Sequence, residues 1–333
     1  MPSPDDNNIV LFRKTHTSIL GFLPHLLYIL RISNDMRPHR LLAIAVLLCA
    51  TFSLQAQSAI TTDPAPDKAN PAAMQSVQVP SHGALLNGLV YVAAGPGPHP
   101  VVILLHGFPG NERNLDLAQT IRRAGWDVLF FDYRGSWGSP GDFSFTHAIE
   151  DTQAAIAFLR DPATAKKLRA DPAYIVLIGH SMGGFMALHV GAQDPAIKAI
   201  ATISAADFTT SRLQSLPADK HDAAVKGLAA GLAAQGMAPL AGCTPESLAS
   251  EVIANAAKWN FVNLAPRLAT RPMLVITSDD GLAPPNDALV DALHKAGNED
   301  VKTIHIATDH SYSDHRIALE KEVLDGLDYL RQK

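Results

Sequence analysis

The chain has 333 residues, of which 47% are hydrophobic and 18% are charged. Its formal net charge is −5, and its pI is about 6.3. This length and composition allow a large buried core, whereas the charge balance argues against the clustered basic surface of a nucleic-acid-binding protein.

The N-terminal part is typical of an export signal. A short basic segment at residues 36–40 precedes an apolar run over residues 41–54, and Ala56-Gln57-Ser58 provides a small-x-small cleavage site. The apolar run is shorter than the roughly 20 residues that a transmembrane helix needs. We therefore expect residues 36–58 to be a signal peptide and the mature protein to be periplasmic or extracellular, without a stable membrane anchor.

Residues 1–35 do not fit this export signal. They contain a second apolar stretch, residues 19–32, which Pro24 and His25 interrupt. Our hypothesis is that translation begins at Met36 and that the upstream extension is a misassigned start; the alternative is a membrane-associated N-terminal anchor. After the signal, residues 59–78 are rich in proline and read as a linker.

From residue 79 to residue 333, short apolar runs alternate with helical patterns. The runs are continuous and bounded by turn residues, as in strands that are buried on both faces. Such alternation predicts βαβ units and a mostly parallel central sheet flanked by helices. We predict strands at 84–93, 101–105, 127–132, 174–178, 197–204, 273–277 and 301–307, and helices at 115–124, 147–160, 183–191, 286–295 and 317–330.

One stretch interrupts the alternation. Residues 207–270 separate two predicted strands and are alanine-rich and helical in character. A long insertion at the functional edge of a sheet is a candidate cap over an active site. A peripheral helical decoration is the alternative.

Ser181 is the candidate nucleophile. It lies in Gly179-His180-Ser181-Met182-Gly183, a G-x-S-x-G sequence between a predicted strand and a predicted helix. A serine in that context sits on a tight turn with its hydroxyl exposed above the sheet. The flanking glycines permit the close approach of strand and helix.

A serine nucleophile needs a base, and the base needs a partner that orients it. Asp280 and His310 both lie in loops that follow predicted strands, which places them at the same sheet edge as Ser181. Asp279 competes with Asp280 for the acid role. His310 has rivals in His305, which lies within a strand, and in His315, which begins the last helix.

The developing oxyanion needs backbone N–H donors. Met182 supplies one at the start of its helix, and the loop His106-Gly107-Phe108-Pro109-Gly110 supplies the other. We predict Phe108, since Pro109 has no N–H. Tyr133 is a candidate for substrate contact, although its loop could equally be structural. No metal site and no cofactor are expected, because no tight cluster of His, Asp or Glu has ligand spacing.

Over residues 79–333 the chain resembles the α/β-hydrolase superfamily. His106-Gly107 resembles its oxyanion loop, and residues 179–183 resemble its nucleophile elbow. Residues 280–284 resemble its acid loop, whose spacing selects Asp280, and residues 309–312 its histidine loop. The chain is most similar to bacterial esterase and peptidase-like hydrolases with HGFPG and DYRG segments, here residues 106–110 and 132–135.

This resemblance implies an α/β-hydrolase fold and acyl hydrolysis through an acyl-enzyme. We expect a serine hydrolase that acts on a small-molecule carboxylic ester. The alternatives are a serine peptidase or amidase of the same fold, an acyltransferase, and a non-catalytic binding protein. The resemblance does not identify the acyl group.

Overall fold

Eight strands form one sheet in a computed structural model that describes residues 59–209, 213 and 215–332. The spatial order is β1-β2-β4-β3-β5-β6-β7-β8. Strands β1 and β2 form an antiparallel hairpin, β2 also pairs antiparallel with β4, and all other neighbours are parallel. The strands are β1 (Ala73–Ser81), β2 (Ala84–Val92), β3 (His99–Leu105), β4 (Asp127–Phe131), β5 (Ala170–His180), β6 (Ala199–Ile203), β7 (Met273–Ser278) and β8 (Val301–Ile306).

Helices cover both faces of this sheet, which confirms the predicted mostly parallel α/β-hydrolase fold. Helices α1 and α9 pack on one face, and α2, α4 and α8 pack on the other. The helices are α1 (Leu115–Arg123), α2 (Phe145–Arg160), α3 (Pro162–Leu168), α4 (Met182–Gln193), α5 (His221–Ala234), α6 (Pro245–Trp259), α7 (Ala265–Leu268), α8 (Ala283–Lys295) and α9 (Arg316–Arg331). No helix in the described ranges is both long enough and apolar enough to cross a membrane.

The central strands divide their side chains between two cores. In β3, Val101 and Ile103 contribute to the core on one face, while Val102 and Leu104 contribute to the core on the other. Because successive side chains of a strand point to opposite faces, a strand covered on both sides must be apolar along most of its length. This requirement is why the strands at the centre of the sheet could be predicted from continuous apolar runs.

Strand β1 begins inside the segment that we expected to be a linker. Residues 59–78 were assigned to a proline-rich linker, but Ala73–Ser81 pairs along its whole length with β2. Its residues alternate between exposed and more buried positions, with Val79 fully buried and Met74 exposed. A half-exposed edge strand carries polar residues at every second position, so its sequence lacks a continuous apolar run. The predicted signal peptide and the residues before it lie outside the described residues.

The insertion is helical, as its composition predicted. Helices α5 and α6 pack against each other, and α7 leads back to the sheet. Helix α6 starts with a capping box, in which the Thr244 hydroxyl accepts from the Ser247 N–H and the Ser247 hydroxyl accepts from the Thr244 N–H. This reciprocal pairing explains where the helix begins.

Candidate active site

Ser181 occupies the sharp turn between β5 and α4. Its backbone has φ 56° and ψ −119°, a conformation that is costly for a residue with a side chain. The turn is held because the Ser181 N–H donates to the carbonyl oxygen of Ile203 (2.9 Å) and the Ser181 carbonyl accepts from the N–H of Ala206 (3.1 Å). Both contacts come from β6 and the loop after it, so the neighbouring strand fixes the strained residue.

Glycines around Ser181 are required by close backbone packing. A Cβ at Gly179 would lie 2.0 Å from the carbonyl oxygen of Gly183, and a Cβ at Gly183 would lie 2.0 Å from the carbonyl oxygen of Leu105. Real Cβ atoms do not approach backbone oxygen so closely. The G-x-S-x-G pattern therefore records a place where strand, turn and helix touch without side chains between them.

Two backbone donors flank the Ser181 side chain. Gly107 lies so close that a Cβ there would be 2.9 Å from the Ser181 Cβ and 3.4 Å from its Oγ. Within the part of the chain that the structure describes, neither the N–H of Phe108 nor that of Met182 has a hydrogen-bond acceptor. Met182 is also the first residue of α4, where the helix dipole favours negative charge. Both N–H groups are thus free to bind an oxyanion.

Asp280 and His310 form a hydrogen-bonded pair. His310 Nδ1 donates to Asp280 Oδ2 across 2.7 Å. Burial by itself would raise the pKa of Asp280, but hydrogen bonds from His310, from the Leu282 N–H and from nearby serine hydroxyls outweigh it, so this pKa lies below its ordinary value. The ionised carboxylate therefore keeps the proton of the neutral His310 ring on Nδ1, which leaves a lone pair on Nε2.

Ser181 and His310 are connected through His180 and share no direct hydrogen bond among the described residues. Among the described residues, no acceptor or donor on His310 lies within hydrogen-bonding distance of Ser181 Oγ. His180, the residue before the serine, does reach His310: its Nε2 lies 2.8 Å from the His310 carbonyl oxygen. Catalytic hydrogen bonds are often long in the absence of substrate and tighten when it binds.

The rival residues have other partners. Asp279 lies beside His305, with 3.0 Å between Asp279 Oδ1 and His305 Nε2, and both side chains are largely exposed. His315 Nδ1 lies 2.9 Å from a carboxylate oxygen of Asp314. These contacts favour Asp280 over Asp279 and His310 over both other histidines.

Tyr133 does not occupy the position that we predicted for a substrate-binding residue. Its side chain is fully buried, its ring lies 4.6 Å from the ring of His106, and its hydroxyl donates to the His106 carbonyl oxygen across 3.3 Å. A side chain without exposed surface has no face to offer a substrate. Tyr133 instead supports the start of the loop at residues 106–110.

Two further side chains stabilise the same loop. The ring of His106 donates from Nδ1 to the carbonyl oxygen of Gly107 across 2.8 Å, and burial lowers the pKa of His106 to about 4, so the ring is neutral. Trp137 donates from its indole Nε1 to the carbonyl oxygen of Pro109 across 2.8 Å. Trp137 was not predicted; the only sequence signal is an aromatic residue in a loop after a strand.

Aromatic side chains border the site. The Phe108 ring lies 6.0 Å from that of Phe143 and 6.1 Å from that of Phe145, and Phe145 lies 4.5 Å from Phe208. Phe108 and Phe208 are partly exposed, whereas the other two are buried. Apolar surface therefore begins at the oxyanion loop itself. No cluster of three or more potential metal ligands occurs among residues 59–209, 213 and 215–332.

Comparisons with known proteins agree with this architecture. The family model described as alpha/beta hydrolase fold matches residues 100–273, just over half of the chain. The thermophilic carboxylesterase EstE1, from a metagenomic library, aligns with a TM-score of 0.57 over 85% of this chain and 96% of its own, at 18% identity. At that identity the likeness concerns the fold alone.

Curated relatives match over shorter stretches. An uncharacterised protein of Mycobacterium tuberculosis is 31% identical over 126 residues, which are 38% of this chain and 43% of that protein. The sn-1-specific diacylglycerol lipase ABHD11 of Xenopus tropicalis is 33% identical over 103 residues, 30% of either chain. The matches thus span less than half of these relatives.

Proposed function

Since the chain belongs to the α/β-hydrolase-fold family, we propose that it is a serine hydrolase that cleaves carboxylic ester bonds through an acyl-enzyme. The observation that carries this proposal is the Asp280–His310 hydrogen bond of 2.7 Å beside the strained turn of Ser181. A nucleophile on an elbow, a base in a defined tautomer and an ionised acid are the three parts that acyl transfer by serine requires.

The reaction follows from these positions. His310 Nε2 takes the hydroxyl proton while Ser181 Oγ attacks the ester carbonyl carbon. The N–H groups of Phe108 and Met182 stabilise the oxyanion of the tetrahedral intermediate. Collapse breaks the ester C–O bond, and the leaving alkoxide takes the proton from His310. Water activated by His310 then hydrolyses the acyl-enzyme and restores Ser181.

The partly exposed rings of Phe108 and Phe208 support an apolar substrate. Phe108 belongs to the loop that would bind the oxyanion, and Phe145 connects its ring to that of Phe208, so the acyl group or the alcohol of a bound ester would lie against these rings. The name of one relative, a diacylglycerol lipase, is consistent with an ester of an apolar acid. We propose a small apolar ester as the substrate class.

A panel of p-nitrophenyl esters of increasing acyl length, with aminoacyl-p-nitroanilides beside it, tests this function. Ser181→Ala should lower kcat on every active ester by about 10⁶-fold. Ser250→Ala, a change at an exposed serine of α6, should leave kcat unchanged. Ester hydrolysis by Ser181→Ala at the parental rate would refute the proposal, and anilide cleavage without ester cleavage would identify a peptidase instead.

We also propose that the mature protein is exported. The basis is the order of basic segment, apolar run and cleavage site in residues 36–58. N-terminal sequencing of the protein from its native cell should find a mature chain that starts near residue 59. A mature chain that starts before residue 36 would contradict both this proposal and the hypothesis of a start at Met36.

A further inference from the structure

His180, which precedes the nucleophile, has a defined tautomer. It is the last residue of β5 and is buried, and its Nε2 lies 2.8 Å from the carbonyl oxygen of His310. A carbonyl oxygen can only accept a hydrogen bond, so Nε2 carries the proton. Burial is the main reason why the pKa of His180 falls to about 3, and the ring is therefore neutral at physiological pH.

The other nitrogen of this ring is unpaired. His180 Nδ1 is buried and has no hydrogen-bond partner among the described residues. A buried polar atom without a partner destabilises a folded protein. A hydrophobic side chain of the same size would fill the space without that penalty, so packing does not account for a histidine here.

The hydrogen bond from His180 joins the strand that leads into the nucleophile to the loop that carries the proposed base. The residues lie 130 positions apart, and the ring of His180 lies 4.7 Å from the ring of His310. Asp280 holds the imidazole of His310 from the acid side. His180 holds the main chain of the same residue from the strand that carries the nucleophile.

The other hydrogen bonds described for the loop around His310 lie within the loop or connect it to segments other than β5. The N–H groups of Ser311 and Ser313 donate to the carboxylate of Asp309, which orders the loop internally. The Tyr312 hydroxyl lies 2.9 Å from the Ser204 hydroxyl, which ties the loop to the residue after β6. Among the residues that the structure describes, His180 alone connects His310 itself to β5, the strand that leads into Ser181.

We propose that His180 is a positioning residue, whose Nε2–H holds the main chain of His310 so that the imidazole reaches Ser181. This role rests on the proposed serine-hydrolase function. A tether of this kind sets the distance over which Ser181 gives up its proton. Misplacement of a reacting group by about 1 Å can lower a rate about 100-fold, so the contact is expected to matter for kcat.

A matched pair of substitutions separates the hydrogen bond from the bulk of the side chain. His180→Gln retains an N–H donor, and His180→Met has similar length but no donor. We expect His180→Met to lower kcat about 10- to 100-fold with KM within about twofold of the parent, and His180→Gln to stay within about threefold of the parental kcat. Both variants should melt within a few degrees of the parental Tm. His180→Met removes the unpaired Nδ1 but leaves the His310 carbonyl without its donor, whereas His180→Gln keeps that donor and places an amide oxygen where Nδ1 was.

A fluorophosphonate probe gives a readout that does not depend on the substrate. Its phosphorus forms a bond to Ser181 Oγ, fluoride leaves, and His310 accepts the hydroxyl proton. The labelling rate should fall in His180→Met by about the same factor as kcat and recover in His180→Gln. If His180→Met does not fold, His180→Phe provides a second variant without a donor.

The outcomes distinguish the two proposals. Parental kcat and labelling in His180→Met, together with an inactive Ser181→Ala, would overturn the positioning role and leave the hydrolase function standing. Equal losses in His180→Gln and His180→Met, or losses that parallel a lower Tm, would show a structural role and also overturn it. An active Ser181→Ala would refute the function itself.

Discussion

The Nδ1–H of His310 donates to Oδ2 of Asp280 across 2.7 Å and not to Asp279, the carboxylate that precedes it in the chain. Asp279 projects to the exposed edge strand and contacts His305 there. The two aspartates follow the same strand, β7, yet of the two only Asp280 bonds His310. Because the two carboxylates contact different histidines, the same substitution should affect activity at one position and not at the other.

Asp280→Asn should lower kcat by about 10³- to 10⁴-fold, because an amide neither stabilises the imidazolium nor favours the productive tautomer. Asp279→Asn should remain near the parental kcat, since its carboxylate contacts an exposed histidine. Steady-state kinetics on the best ester of the panel measures both. A larger loss in Asp279→Asn than in Asp280→Asn would exchange the two assignments.

The approach of Gly107 to Ser181 yields a second prediction. A Cβ at this position would lie 2.9 Å from the Ser181 Cβ, so Gly107→Ala must push the oxyanion loop away from the nucleophile. Loss of one oxyanion donor costs about 10²- to 10³-fold in kcat. We expect a loss of that size in Gly107→Ala, measured as kcat, with the variant still folded by circular dichroism.

Gly227→Ala is the control for this change, because a Cβ there meets nothing within 4 Å. It should have the parental kcat. Parental kcat in Gly107→Ala would contradict the assignment of the Phe108 N–H as an oxyanion donor.

Local sequence patterns were sufficient to predict the central strands and to identify Ser181. The runs at residues 101–105 and 273–277 predicted β3 and β7 because strands buried on both faces are apolar along most of their length. Ser181 was identifiable because its glycines are dictated by backbone contact at the elbow. When packing restricts which residue types fit at each position of a short segment, the resulting sequence pattern can be recognised without a structure.

Other features depend on contacts between distant segments. Strand β1 is recognisable only from its pairing with β2, since its own residues are half exposed. Tyr133 looked like a pocket residue, because nothing near it in sequence shows that the ring of His106 covers it. The bond from His180 to His310 spans 130 residues, so no local pattern could predict it.

Helix α5 offers a prediction about stability alone. Gly227 lies in its exposed interior with open space around the missing side chain. Glycine in a helix interior costs about 0.5–1 kcal/mol relative to alanine, because it loses more conformational entropy on folding. Gly227→Ala should therefore raise the free energy of unfolding by about that amount, measured by urea denaturation.

Gly236 provides the contrast for this prediction. It also has open space, but its φ is +80°, which alanine adopts only with strain. Gly236→Ala should lower the free energy of unfolding by about 1 kcal/mol. A gain in both variants, or a loss in both, would contradict the explanation by backbone conformation.

Asp127, at the start of β4, predicts a pH dependence of stability. Its side chain is fully buried; Oδ1 accepts from the N–H of Ala93 and lies 3.1 Å from His99 Nδ1, and Oδ2 has no partner among the described residues. Burial raises the pKa of Asp127 to about 7, against the lowering effects of the Ala93 N–H and of Arg169.

Asp127 is protonated to different extents in the folded and the unfolded protein. An unperturbed aspartate has a pKa of 3.8, so between about pH 4 and pH 7 the folded protein keeps a proton at Asp127 that the unfolded chain has lost. The contribution of this carboxyl to stability is therefore present below pH 4 and is lost as the pH rises to about 7. A shift of this size corresponds to at most about 4 kcal/mol at 1.36 kcal/mol per pKa unit.

Asp127→Asn removes this titration while its amide oxygen can still accept from Ala93. Buried histidines titrate in the same range with the opposite sign, so the test is the difference between variant and parent rather than either profile alone. The free energy of unfolding of the variant, measured by urea denaturation, should exceed that of the parent by about 1–4 kcal/mol between pH 5 and pH 8.

Asp222→Asn, at an exposed carboxyl in α5, controls for the loss of one negative charge. A difference between Asp127→Asn and the parent that stays constant with pH would mean that Asp127 is ionised in the folded protein throughout this range.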